Sequence, residues 1–213
     1  MTSYGFQKGR TFRYLTGSCN NACLNPAFAW IHGDDAPDIA NNWLGIVAPG
    51  VRNNGIDDKT WTDHVDVRPT MLSLLGLQDT YVHDGRVLIE TIEEHVQPVR
   101  LRGHTHTLSG FVSIYKQINA PFGQFAMDSL KVSTAALASN SANDATYLAL
   151  ENKILDWTAL RDSIVADMMS MLNGAAFEGE VFDEVTARQL ISHAQALLED
   201  VSSCAANPTA CAQ

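Results

Sequence analysis

The feature that most limits what this chain can become is a change of hydrophobic period near its middle. From Asn143-Asp144, which reads as an N-cap, apolar residues recur at Leu150, Ile154, Trp157, Leu160, Ile164, Met168 and Met171. Steps of three and four put them on one face of a helix, and Asn173-Gly174 supplies a stop. Val185, Leu190, Ile191, Ala194, Leu197, Leu198 and Val201 repeat the pattern, and an Ala-rich run covers about residues 124–138. Successive amphipathic helices predict a helical hairpin or small bundle over residues 104–213, with Leu150, Ile154, Trp157, Ile164 and Leu197 inside. Met168, Met169 and Met171 suit core packing at this spacing; an adaptable binding surface is the second reading.

Residues 1–103 have a different texture. They hold three of the four tryptophans and most of the Gly and Pro, with short apolar runs between turns. Such runs read as strands and loops with a few helices. Candidate strands are 28–31 and 43–47, the second running into the turn signal Ala48-Pro49-Gly50. Residues 68–75 read as a helix: Pro69 fits a first turn because its φ is fixed and its N–H is missing, and Gly76 follows as a stop. Asp84-Gly85-Arg86 is a turn, with a short segment at 87–90 after it. The predicted architecture is an α/β region over 1–103, with Trp30, Trp43, Val47, Leu72 and Leu75 in its core, followed by a helical region over 104–213.

Charge and composition exclude several function classes. Fourteen Lys plus Arg against 24 Asp plus Glu give a net charge of −10, −3 over residues 1–103 and −7 over 104–213. That balance offers no broad basic patch for nucleic acid, and the acidic excess of the helical part reads as a solvated face. No apolar stretch approaches the roughly 20 residues of a membrane span, and the first ten residues lack the apolar core of a signal peptide. With 46% hydrophobic and 18% charged residues the chain is expected to fold. Cys19 with Cys23 and Cys204 with Cys211 are each close enough for a short-loop disulfide, which would suit an oxidising compartment. Free thiols, or a metal half-site at Cys19 and Cys23, are the alternatives.

Seven histidines are present, in unequal contexts. His32 follows the apolar run Phe28-Ala29-Trp30-Ile31 and precedes Gly33-Asp34-Asp35, where a predicted strand gives way to a loop. His64 stands between Asp63 and Asp66, and carboxylates around an imidazole orient it and raise its basicity as a metal ligand requires. His104 and His106 would share one side of an extended segment and could clamp a metal. His83, His95 and His193 read as surface residues. Aspartates in the loops, Asp34 among them, offer hard oxygen ligands, although most loop aspartates make turns or caps. No Gly-x-Ser-x-Gly elbow, P-loop, dinucleotide fingerprint or His-Glu-x-x-His helix is present.

Four pieces in order carry a resemblance: residues 28–34 (Phe-Ala-Trp-Ile-His-Gly-Asp), 43–51 (Trp-Leu-Gly-Ile-Val-Ala-Pro-Gly-Val), 61–72 (Trp-Thr-Asp-His-Val-Asp-Val-Arg-Pro-Thr-Met-Leu), and Gly76-Leu77 with Asp84-Gly85-Arg86. Together they resemble the C-terminal catalytic portion of the alkaline phosphatase superfamily, over about residues 27–90. The resemblance implies an α/β/α sheet and a hydrolase in which two divalent cations, zinc foremost, activate a Ser or Thr nucleophile against a phosphate or sulfate ester. It assigns His32 to one metal and His64 to the other, with Asp34, Asp63 and Asp66 in support. Ile31 stands where better-known members carry the Asp of an Asp-His pair. The nucleophile and the remaining ligands lie, in the family, in an N-terminal half of several hundred residues, so no catalytic residue is expected here. One imidazole per metal falls short of the roughly three protein ligands of a catalytic zinc.

The sequence therefore predicts the C-terminal segment of a metal-dependent phosphoesterase, inactive alone, exported to the periplasm or cell exterior if a signal peptide precedes it in the full-length protein. Its partner would be a phosphate ester, and the helical region could bind a protein. The alternative is a non-enzymatic helical binding or structural module in which the histidines are relics. A mononuclear site at His104 and His106 is a third reading.

Overall fold

The structure is a computed structural model that describes residues 42–212 together with the short strands Phe6–Gln7 (β1) and Thr11–Phe12 (β2). The chain divides into two compact units, residues 1–47 and 48–213. In the first, β1 and β2 pair antiparallel, Phe6 opposite Phe12.

The second unit is helical. Its helices are α1 (Val67–Leu75), α2 (Thr105–Asn119), α3 (Gln124–Leu137), α4 (Ala145–Asn173), α5 (Glu184–Ala206) and the one-turn α6 (Pro208–Cys211). Helices α2 to α5 pack against one another as a bundle. On α5 the buried residues Ala187, Leu190, Ala194, Leu197, Val201 and Cys204 alternate steps of three and four, a narrow seam of the kind that inserts between neighbouring helices. On α4 the seam is Leu150, Trp157, Ile164, Met168 and Leu172, and α2 adds Leu108, Phe111, Val112, Tyr115 and Ile118. Each large aliphatic or aromatic side chain so removed from water contributes about 1.5–3 kcal/mol, and each alanine less, before the entropy of ordering it is subtracted. The Trp157 indole N–H donates to Asp200 Oδ2 at 2.6 Å, fixing α4 against α5.

Helix ends follow local chemistry. The Asp183 carboxylate accepts from the Thr186 amide at 2.7 Å and starts α5. Gly76 takes the left-handed conformation (φ 64°) and ends α1, while the Leu77 amide donates to the Leu72 carbonyl at 2.9 Å. At the α2–α3 corner a Cβ on Gly123 would lie 2.6 Å from the carbonyl oxygens of Lys116 and Gln117, so only glycine fits. Asn173-Gly174 does not stop α4 as its sequence suggests. The chain continues through a π turn, Gly174–Glu178, and ends at Gly179 with φ 74°.

The α/β region expected over residues 1–103 is corrected by the structure. Among the described residues the strand pairing is limited to β1 with β2 and one isolated bridge, Val51 to Ile92, with no wider sheet. Residues 43–47 are not a strand, and Trp43 and Val47 are 90% and 100% exposed instead of forming a core. Leu72 is half-buried and Leu75 exposed; Trp30 and the candidate strand 28–31 lie outside the described residues. Over residues 48–103 the main chain finds its partners in turns, in one short bridge where the Arg52 amide donates to the Thr91 carbonyl and the Glu93 amide to the Gly50 carbonyl, both at 2.8 Å, and in side chains, instead of in a ladder. The Gln97 amide donates to the carbonyls of Ile89 and Ile92, both at 3.0 Å, and Arg52 Nε donates to the Ile92 carbonyl at 2.9 Å. His104 precedes α2 and His106 lies in its first turn, so the extended segment on which the two would share one side is not formed.

Candidate functional site

The segment from Trp61 to Thr70, where the sequence placed a metal ligand, is a structural clasp. A single turn of 3-10 helix, His64–Asp66, leads directly into α1. The Asp63 amide donates to Asp66 Oδ2 at 2.8 Å, and the Arg86 amide donates to Asp66 Oδ1 at 2.9 Å. Into this pair of carboxylates α2 inserts Lys116, whose ammonium lies 2.8 Å from both Asp63 Oδ2 and Asp66 Oδ1. Lys116 and Asp66 are 2% and 0% exposed, so their charges are compensated inside the protein and not by water. The Asp66 carbonyl accepts from the Thr70 hydroxyl at 2.7 Å, and that hydroxyl accepts from the Leu88 amide at 3.0 Å.

Arg86 completes the clasp. It is buried, donates to Glu90 Oε2 at 2.8 Å and reaches the Trp61 carbonyl at 3.3 Å. Its Nε has no partner among the described residues, and the residue helps to line a cavity of about 10 Å³, the size of one water. Tyr115, one residue before Lys116, donates its hydroxyl to the Asp84 carbonyl at 2.7 Å, and burial pushes that phenol well above its ordinary pKa.

This geometry does not fit a metal centre. His64 itself is exposed, and the carboxylates expected to support it are occupied by Lys116 and by main-chain amides. His32 and Asp34, the other assigned residues, lie outside the described residues, as do Cys19 and Cys23. Among the described residues no three His, Cys, Asp or Glu side chains converge. His104 and His106 do not form a clamp either, because residues two apart on a helix diverge. His104 Nδ1 instead lies 2.8 Å from Glu184 Oε1, and Glu184 also accepts from Thr107 at 3.1 Å and Arg188 at 3.0 Å. The hydrogen bonds from His104 and Thr107 hold the Glu184 carboxyl below its usual range. Of the cysteines, Cys204 and Cys211 form a disulfide that joins α5 to α6, with their Cα atoms 5.1 Å apart.

A second feature was not anticipated. A groove of about 450 Å³, within the range of small-molecule pockets, runs between Leu72 with residues 78–83 on one side and the end of α4 with its π turn on the other. Ala166, Ser170, Asn173 and Phe177 follow one another at steps of four, three and four, making a floor of small side chains closed by a ring. The π turn adds a residue to the helical repeat, so that the consecutive Phe177 and Glu178 both border the groove.

The opposite wall is organised by Asp79. Its carboxylate is paired with the Arg68 guanidinium, accepts from the Tyr81 amide at 3.2 Å and lies 3.1 Å from His83 Nε2. Burial works to raise the Asp79 carboxyl, but the hydrogen bonds from Arg68 and Tyr81 and the nearby charges outweigh it and hold the group below its usual value. His83, expected at the surface, is only 6% exposed. A carboxylate only accepts, so the His83 Nε2–H donates to Asp79 and fixes the orientation of the ring. The rings of Tyr81 and His83 meet edge to face at 5.4 Å, and His83 and Phe177 lie 6.1 Å apart, so an aromatic row links the two walls. Asp79 and His83 stand four residues apart, which is the one sequence signal that could have pointed here.

Among the described residues no helix is long and apolar enough to cross a membrane. Comparison of the chain with protein-family models, with curated proteins and with solved structures gave no match.

Proposed function

We propose that the helical unit is a non-enzymatic binding module and that its ligand site is the groove between residues 78–83 and the C-terminal end of α4. The observation that carries this reading is the buried His83, oriented by Asp79 and set between the rings of Tyr81 and Phe177 beside a row of mostly small side chains. Preformed pockets of this size, mostly apolar with a few fixed polar atoms, are where small molecules bind. The hydrolase reading has no comparable support: its sheet is absent from residues 48–212, and the acidic residues flanking His64 are engaged in the Lys116 clasp.

The test is a titration of the full chain with indole, followed through backbone amide resonances. The expected result is saturable shifts confined to residues 78–83 and 166–178, reduced in Phe177→Ala. Shifts scattered over the surface, or none, would overturn the site. Aryl phosphate hydrolysis that requires zinc and disappears in His64→Ala would overturn the non-enzymatic reading.

A further inference from the structure

Resting on the groove as a ligand site, we infer that its ligand is a small organic cation with an apolar body, of the quaternary or protonated-amine class. The two carboxylates that line the groove, Asp79 and Glu178, face no lysine or arginine in that lining. Glu178 carries a carboxylate with no ion pair or hydrogen bond among the described residues. Arg68 is held by the Asp79 carboxylate and lies over the Tyr81 ring, 4.7 Å from its centroid, while Arg100 donates to the Gly179 carbonyl at 2.9 Å. Neither is ion-paired with Glu178. Phe177 adjoins that carboxylate in sequence and lines the same groove, so an ammonium bound there would meet a π face and a negative charge together. Leu72, Val82 and Met169 supply apolar surface for the rest of the molecule. The chain as a whole, at −10, adds a field that attracts cations and repels anions.

Three ligands of similar size separate this inference from the reading beneath it. Benzyltrimethylammonium, benzyl alcohol and benzoate are each titrated into the full chain, with amide shifts of residues 166–178 as the readout. Benzyltrimethylammonium should bind about tenfold more tightly than benzyl alcohol, and benzoate should bind weakest. Glu178→Gln, at an exposed position that leaves the fold intact, should weaken benzyltrimethylammonium threefold to fivefold and leave benzyl alcohol unchanged. Phe177→Leu should weaken it about fivefold while preserving apolar volume. Equal or tighter binding of benzyl alcohol or benzoate, or indifference of the cation to Glu178→Gln, overturns the cation inference alone. No groove shift with any of the three overturns the ligand site as well.

Discussion

The Lys116 ammonium lies 2.8 Å from the Asp66 carboxylate, and both groups are almost wholly removed from solvent. Fifty residues of chain separate them. The clasp joins the loop-rich segment 61–90 to α2 and so sets where residues 78–83 stand. Removing one partner leaves an uncompensated charge inside, which costs far more than an exposed pair is worth. Lys116→Met is expected to lower stability by about 3 kcal/mol in urea denaturation. A loss below about 1 kcal/mol would mean that water reaches Asp66 and that the clasp is not closed.

Gly85 tests the same junction without touching a charge. A Cβ at this position would lie 2.0 Å from the Val65 carbonyl oxygen and 2.6 Å from the Asp66 amide nitrogen, both main-chain atoms. Neither can swing aside as a flexible side chain would. Gly85→Ala should destabilise by about 3 kcal/mol, whereas Gly55→Ala, with open space around it but a φ of +74°, should cost only about 1 kcal/mol. Thermal denaturation of the two variants side by side measures the difference.

The Cys204–Cys211 bond closes a loop of seven residues' separation and holds α6 beside α3 and α4. Short loops give modest gains, so replacing both cysteines with Ser should cost about 2 kcal/mol. Hydrogen exchange should quicken at residues 201–212 on adding dithiothreitol, while residues 78–83 keep their protection. Exchange that quickens throughout would show that α6 supports the whole bundle.

Asp128 sets part of the acid limit of the bundle. Burial alone would raise its carboxyl, but Lys131 at 2.7 Å and the hydrogen-bonding Gln124 amide hold it below the ordinary value of 3.8. A depressed native pKa means that the unfolded chain takes up the proton first, so the contribution is full above the unfolded value and is lost as pH falls through the native one. Between about pH 5 and pH 2 the wild type should therefore lose more stability than Asp128→Asn. Parallel losses in the two proteins would show that the carboxylate contributes nothing to acid sensitivity.

The helices that were legible in the sequence are those whose apolar period is sustained. The bounds of Gln124–Leu137 and Glu184–Ala206 agree with expectation, α4 differs at its end, Leu160 and Val185 are exposed instead of joining the buried faces, and Pro69 and Gly76 bracket most of α1. Helix α2 was not legible. Thr105, Thr107, Val112 and Ile114 are β-branched and Gly110 interrupts, so local propensity argues against a helix that packing against α5 imposes. In residues 48–103 short apolar runs resemble strands, yet Leu88, Ile89 and Ile92 are buried in turns fixed by Gln97 and Thr70, contacts no local period reveals.

The candidate site was legible only in fragments. Asp63 and Asp66 were singled out as unusual carboxylates, but their partner is a lysine about fifty residues downstream, indistinguishable in sequence from any surface lysine. The same limit hid His83, whose burial depends on Phe177 across the groove. Met168, Met169 and Met171 divide between the two readings open to them: Met168 is core, Met169 lines the groove and Met171 is half-buried.

The most direct measurement of the central claim is a crystal structure of the protein grown with benzyltrimethylammonium. The account predicts the trimethylammonium group against Phe177 and the Glu178 carboxylate, the phenyl ring toward Leu72 and Met169, and His83 still bonded to Asp79. A groove that stays empty at saturating ligand, or a cation lodged at the Asp63–Asp66 clasp with Lys116 displaced, would contradict it.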